Sequence, residues 1–255
     1  MDCVNDRTRM IVVSHVTSAT ALTLPVAEIC RRARGARVPV CVDGPHALAM
    51  LPINLKEMGC DYYTASCHKW LSGPFGTGFL YAAPRRQSSL KPAVMSWGGS
   101  LEGRDPHWKD EYRWIGTRDP AVYLAVSDAI DFLQSYGLEK FRKQTHQLAR
   151  LFRERMTELT GLEPFVPDSA EWFGPMTAVP LPPLKEPPPK QGWTDPLQAA
   201  LRDQYQIEIP VVHWQGHRLL RVSCHLYNTP ADIDTLLTAL KKLLALPQLS
   251  LFTFN

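Results

Sequence analysis

The sequence predicts an α/β protein: a mostly parallel sheet covered by helices, followed by a smaller α/β C-terminal domain. Short apolar runs rich in β-branched residues alternate with helix-period segments from Met10 through Tyr81. These runs end in polar clusters, at Ser14-His15, Asp43 to His46 and Ser66 to Lys69. In an open parallel sheet the carboxyl ends of the strands are where a ligand sits. Beyond Gly137 the pattern becomes short strands mixed with helices, which sets the domains at 1–136 and 137–255.

Taken in order, Met10 to Val16 (MIVVSHV) is a buried strand, and Pro25 to Arg34 is a helix with Val26, Ile29 and Cys30 on one face, stopped at Gly35. Val38 to Val42 is a second strand, ending in Asp43-Gly44-Pro45-His46. Leu55 to Gly59 reads as a short helix feeding a third strand at Asp61. A Gly-rich turn (Gly73, Gly76, Gly78) then leads into Phe79-Leu80-Tyr81. Arg85 to Trp114, with Trp97-Gly98-Gly99, is loop-rich. Trp114 to Pro120 precedes a helix, with Asp119 as N-cap and Pro120 in the first turn. Helical spacing runs from Ala121 to Tyr136 and again from Leu138 to Leu159. In the C-terminal part, strands are expected at Leu162 to Val166, Met176 to Leu181, Ile207 to Val212 and Arg218 to Ser223. Pro180 to Pro189 reads as a stiff exposed loop, and Pro196 to Tyr205 as a helix. The last helix opens at Thr229-Pro230-Ala231-Asp232 and buries Ile233, Leu236, Leu237, Leu240 and Leu244.

The 255 residues are 45% hydrophobic and 21% charged, which suits a globular chain able to bury a real core. A formal charge of +3 with scattered basic residues argues against a nucleic-acid partner. No apolar run is long enough for a membrane span, and the N-terminus lacks the apolar stretch of a secretory signal. Six widely spaced cysteines without a CxxC pair read as reduced thiols, so a cytoplasmic location is expected. His213 and His217 are four apart but fall in a strand and a Gly turn, so no metal site is expected.

The stretch Asp61 to Tyr81 (DYYTASCHKWLSGPFGTGFLY) puts Lys69 at the lip of a strand beside permissive backbone. Trp70 and Phe75 are expected to desolvate it, which would favour the free amine needed to attack a carbonyl. On residues alone, Lys69 also reads as a surface loop lysine, Asp43 as a turn former, Ser66 and His68 as strand-end polarity, and Arg221 as a snorkelling strand arginine.

Together VVSHVTS, VDGPHA, YTASCHKWL, WIGTRDP and LRVSCHLYNTPADID resemble the class V aminotransferase family of fold type I enzymes, which use pyridoxal 5′-phosphate (PLP). Within it the chain is most similar to the isopenicillin N epimerase-like branch, and the resemblance runs from about Met10 to about Leu244. It implies a PLP-dependent transferase-like fold and a PLP enzyme that acts on an amino acid through a lysine aldimine, as an epimerase or carbon–sulfur lyase. Lys69 would be the catalytic lysine, and Asp43 the carboxylate on the pyridine nitrogen. His46 would lie near the ring oxygen, with Ser66 and His68 at the phosphate or beside the imine. Thr117 would reach the phosphate of a partner subunit, implying a homodimer if the chain is complete, and Arg221 would take the substrate carboxylate. The nucleophilic cysteine of the desulfurases has no counterpart in Ile207 to His217, so a persulfide-forming desulfurase is not expected. The segment that cradles the phosphate in family members also has no counterpart before Met10. The chain therefore reads as a C-terminal portion: a working PLP enzyme, or alternatively a truncated non-catalytic remnant or one part of a split enzyme.

Overall fold

The structure, a computed structural model, describes residues 2–94, 97, 107–113, 116–184 and 194–244. Trp114-Ile115, Gly98-Gly99 and the later part of the Pro180 to Pro189 segment lie outside the described residues. The chain divides into two compact units, Met1–His15 with Pro25–Ser135, and Val16–Leu24 with Tyr136–Asn255.

The first unit holds β1 (Ile11–Ser14), α1 (Val26–Gly35), β2 (Val40–Asp43), α2 (Leu55–Met58), β3 (Tyr62–Ser66) and β4 (Gly78–Ala82). It continues with α3 (Pro84–Gln87), α4 (Asp110–Arg113), α5 (Ala121–Leu124) and most of α6 (Val126–Tyr136). The four strands lie in sequence order; β1–β2 and β2–β3 are parallel and β3–β4 is antiparallel. The sheet is mostly parallel, as the alternation of runs predicts, with the antiparallel return set by the Gly-rich turn. Register aligns Ser14 with Asp43 and Asp43 with Thr64, so β1 and β2 finish level and β3 runs two residues further, to Ser66. α1 buries Val26, Cys30 and Ala33, while Val40, Val42, Tyr63 and Ala65 fill the sheet side of the core. Burying such side chains contributes about 1.5–3 kcal/mol each for the larger ones. α2 begins where the Asn54 side chain accepts from the N–H groups of Lys56 and Glu57, and it stops at Gly59 in the left-handed conformation. At the amino end of the sheet, buried Asp61 accepts from Val40 N–H at 2.9 Å and pairs with Arg86 at 2.7 Å.

The second unit holds α7 (Leu138–Thr160), β5 (Met176–Pro180), α8 (Pro196–Tyr205), β6 (Val211–Trp214), β7 (His217–Ser223) and α9 (Pro230–Leu244). Its sheet is antiparallel in the order β5-β7-β6. Side chains alternate across a strand, so Val179, Leu220 and Val222 join one core with Phe152, Met156, Leu201, Ile233, Leu236 and Leu240 from the helices. Leu237 and Leu244, also expected in the α9 stripe, pack partly buried against that core.

Two expected strands differ from the sequence reading. Leu162 to Val166 is irregular: it follows the left-handed cap at Gly161, and Pro164 and Pro167 supply no ladder donors. The carbonyl of Val166 accepts instead from Arg153 at 2.6 Å. The strand expected from Ile207 begins only at Val211, because Ile207 N–H closes the end of α8 on Leu201 and Pro210 intervenes. The helix expected from Ala121 to Tyr136 is interrupted at Ala125. Pro120 occupies its cap position, and Asp119 Oδ1 accepts from Ala121 N–H at 2.8 Å. Among the described residues no helix is long and apolar enough to cross a membrane.

Candidate functional site

β2 delivers Asp43 to the carboxyl end of the sheet because its apolar members, Val40 and Val42, are buried and the strand stops where polarity begins. Thr64, its neighbour on β3, donates from Oγ1 to Asp43 Oδ1 at 3.2 Å. The next residue, Gly44, is required by close approach: a Cβ there would stand 2.1 Å from the Tyr63 hydroxyl. Tyr63 is fully buried on β3, and its hydroxyl lies 2.9 Å from Nδ1 of buried His15. The N–H of His15 in turn donates to the Asp43 carbonyl at 2.8 Å. Burial lowers the His15 pKa to about 4 and pushes the Tyr63 phenol up. At neutral pH the pair is therefore an uncharged imidazole hydrogen-bonded to a protonated phenol. This pair braces the Asp43-Gly44 turn from beneath.

The turn carries His46, whose Nε2 lies 3.1 Å from Lys69 Nζ. Lys69 sits in the connection between β3 and β4, a turn closed by Gly73 N–H on the Cys67 carbonyl at 2.8 Å and by Cys67 N–H on Thr77 at 2.9 Å. Gly78 lets β4 pass close to β3, since a Cβ there would meet the Ala65 carbonyl at 2.6 Å. The enclosure expected around Lys69 is not present: Lys69 is exposed, Trp70 is turned into the core, and Phe75 is 88% exposed. Phe75 covers His68 instead, with ring centroids 4.9 Å apart. His68 Nδ1 is buried and has no hydrogen-bond partner among the described residues. Ser66 is half-buried at the last position of β3, opposite Gly78.

The structure thus brings Asp43, His46, Ser66, His68 and Lys69 to one end of one sheet. Thr117 is exposed in the bend before α5, and no hydrogen bond among the described residues joins it to that group. Arg221 belongs to the second unit. There Nη1 donates to the Ser18 carbonyl at 2.6 Å and lies 3.0 Å from Ser18 Oγ, while Nε is buried with no partner among the described residues. Burial lowers the Arg221 pKa from its ordinary value.

An accessible primary amine, able to condense with an aldehyde, stands beside an imidazole, one strand end away from a carboxylate that accepts from Thr64. These are groups that could hold an aldehyde-bearing nitrogen heterocycle such as PLP. The His68 Nδ1 atom is a buried polar group without a partner among the described residues. Reasoning on sequence missed the roles of Tyr63, His15 and Ser18. His15 stood out only as a polar residue at a strand end, Tyr63 reads as an ordinary β-former, and nothing marks Ser18.

A family model described as Aminotransferase class-V matches residues 1–236. The chain is 38% identical over 247 residues to isopenicillin N epimerase of Amycolatopsis lactamdurans, covering 93% of this chain and 60% of that protein. It is 35% identical to isopenicillin N epimerase of Streptomyces clavuligerus over 93% of this chain and 61% of that protein. Among solved structures it matches the apo structure of a cysteine desulfurase from Thermococcus onnurineus NA1 with a TM-score of 0.75 and 22% identity, over 92% of this chain and 60% of that one. Alanine–glyoxylate aminotransferase from Nostoc sp. gives a TM-score of 0.71 at 20% identity, over 92% of this chain and 61% of that one. These last two likenesses show the fold. The chain spans about 60% of the length of the curated relatives it matches.

Proposed function

The chain belongs to the class-V aminotransferase family, and from that premise we propose that it takes part in a PLP-dependent reaction at the α-carbon of an amino acid, as an epimerase or a carbon–sulfur lyase. The observation that supports this best is the meeting of Lys69 with His46, 3.1 Å apart, at the sheet end where Asp43 finishes β2.

PLP, when bound, supplies an electron sink for charge developing at the α-carbon. In this reading Lys69 would hold the cofactor through Nζ and, once the substrate amine has taken its place there, would act as the base at the α-carbon; epimerisation then requires a proton delivered to the opposite face. His46, beside that amine, orients it and can relay its proton. Asp43 would hold a proton on the pyridine nitrogen, with Thr64 fixing the carboxylate and the His15–Tyr63 pair fixing the turn. Ser66 and His68 would donate to the phosphate or flank the amine, a reading supported by the buried His68 Nδ1 that has no partner among the described residues. Arg221 pairs with the substrate carboxylate, oriented by its bonds to Ser18. Thr117 reaches the phosphate held by a second subunit, so the working form is a homodimer. The relatives named isopenicillin N epimerase favour epimerisation over elimination.

Borohydride reduction of the chain incubated with PLP, followed by peptide mapping, tests the assignment. The pyridoxyl label is expected on Lys69 and to be lost in Lys69→Ala, together with at least about 10²-fold of any turnover. Absence of a label, or a label on another lysine, refutes the reading.

A further inference from the structure

A cavity of about 90 Å³ lies in the second unit, lined by Arg153, Thr20, Thr177, Phe165, Phe173 and His217 among others. Arg153 comes from α7 and is only 5% exposed. Its guanidinium lies 4.3 Å from the Phe173 ring centroid, donates to the Val166 carbonyl at 2.6 Å, and reaches Thr177 Oγ1 only at 3.4 Å. Among the described residues no carboxylate lies within ion-pair distance of it. The acid nearest in effect, Asp168, accepts from Arg150 Nε at 2.7 Å. An arginine stays cationic even when burial lowers its pKa, and a buried charge without a counter-charge is costly.

We propose that this cavity is a binding site for a small aliphatic carboxylate, with Arg153 as its counter-ion. The volume is several times the roughly 10–15 Å³ that one water needs on this measure, room for a carboxylate with a short alkyl tail. Charge and hydroxyls gather at Arg153 and Thr177, while Phe165 and Phe173 form apolar walls. That division suits an anion with a polar head and an apolar tail; an inorganic oxyanion would press oxygens against aromatic carbon. His217 and Phe165 are both exposed and meet edge-on with centroids 4.8 Å apart, so they frame the entrance. Arg221 does not line the cavity, and the inference does not rest on the chemistry assigned to Lys69.

Calorimetric titration of the whole chain with propionate, at chloride-matched ionic strength, tests the proposal. Saturable binding is expected, weakened about tenfold or more in Arg153→Met, as loss of a charge-assisted contact would produce. Ala178→Leu, which adds bulk to the cavity wall and leaves Arg153 in place, is expected to abolish it. No saturable binding to the unaltered chain means the cavity holds water only and overturns the proposal. So does unchanged affinity in either variant, or binding that is lost only in Arg221→Met. Should Arg153→Met fail to fold, Ala178→Leu decides the matter alone.

Discussion

At Gly44 a single methyl group would collide with a phenol that itself is fixed by a buried imidazole, so three residues far apart in sequence share one position's tolerance. The imidazole makes that arrangement sensitive to acid. Burial holds the His15 pKa at about 4 against an ordinary 6.5, so the folded chain binds that proton less readily than the unfolded chain. Stability from this residue is complete above the unfolded value and is lost as pH falls from 6.5 toward 4, by about 3 kcal/mol. Urea midpoints measured across that range should fall with pH in the unaltered chain and fall less steeply in His15→Gln. Parallel curves would show that His15 does not set the slope. Lys69 and Asp43 were legible as candidates because each falls in a polar cluster that ends a strand run, Asp43 directly before Gly44 and Lys69 ahead of the Gly-rich turn. Tyr63 was not, since its part in the site depends on a contact across the sheet that no local pattern encodes. The enclosure of Lys69 was misread for a related reason: adjacent aromatic residues in sequence point in different directions, and only Trp70 turns inward.

Between elements, the second unit relies on Asp195, which caps α8 through Leu197 N–H at 2.8 Å and reaches β6 and β7 with the same carboxylate. Arg218 grips it twice, at 2.8 and 2.6 Å, and His213 Nε2 lies 2.7 Å away. Burial pushes this carboxyl up, but the Arg218 guanidinium outweighs it and the net shift is downward. Asp195→Ala leaves Arg218 buried without its partner, so unfolding should become easier by about 3–5 kcal/mol in urea titration. Combining it with Arg218→Leu should recover much of that loss, because the uncompensated charge is then gone. A double variant no more stable than Asp195→Ala would show that the cap and the packing matter more than the charge. The spacing of His213 and His217 suggested a pair to be weighed as ligands, whereas His213 is committed to Asp195 and His217 packs on Phe165. Helices were read closely here, Pro196–Tyr205 to the residue, because their period and caps are local. Strands were read less well, since a pairing partner decides whether an extended run becomes one.

For the whole molecule, both units leave large apolar side chains uncovered: Val12 at 69%, Leu124 at 70% and Phe132 at 57% in the first, Tyr227 at 78% in the second. Exposed apolar surface of this kind favours association where it is contiguous. Sedimentation velocity across a wide range of concentration should show a dimer or larger species, dissociating on dilution; a monomer at every concentration would count against a shared site. The fold class was readable from the alternation of elements together with the family resemblance. The passage of Val16–Leu24 into the second unit was not, because no composition change marks it.

The β3–β4 hairpin has one more consequence. Its two strands are neighbours in sequence, joined by the stretch from Cys67 to Thr77, and five consecutive pairs fix their alignment from Tyr62–Ala82 to Ser66–Gly78. Closing so short a span costs little chain entropy and is fast compared with bringing distant segments together. The loop that carries Lys69 therefore belongs to a local hairpin, while its contact with His46 depends on the longer-range parallel pairing of β2 with β3.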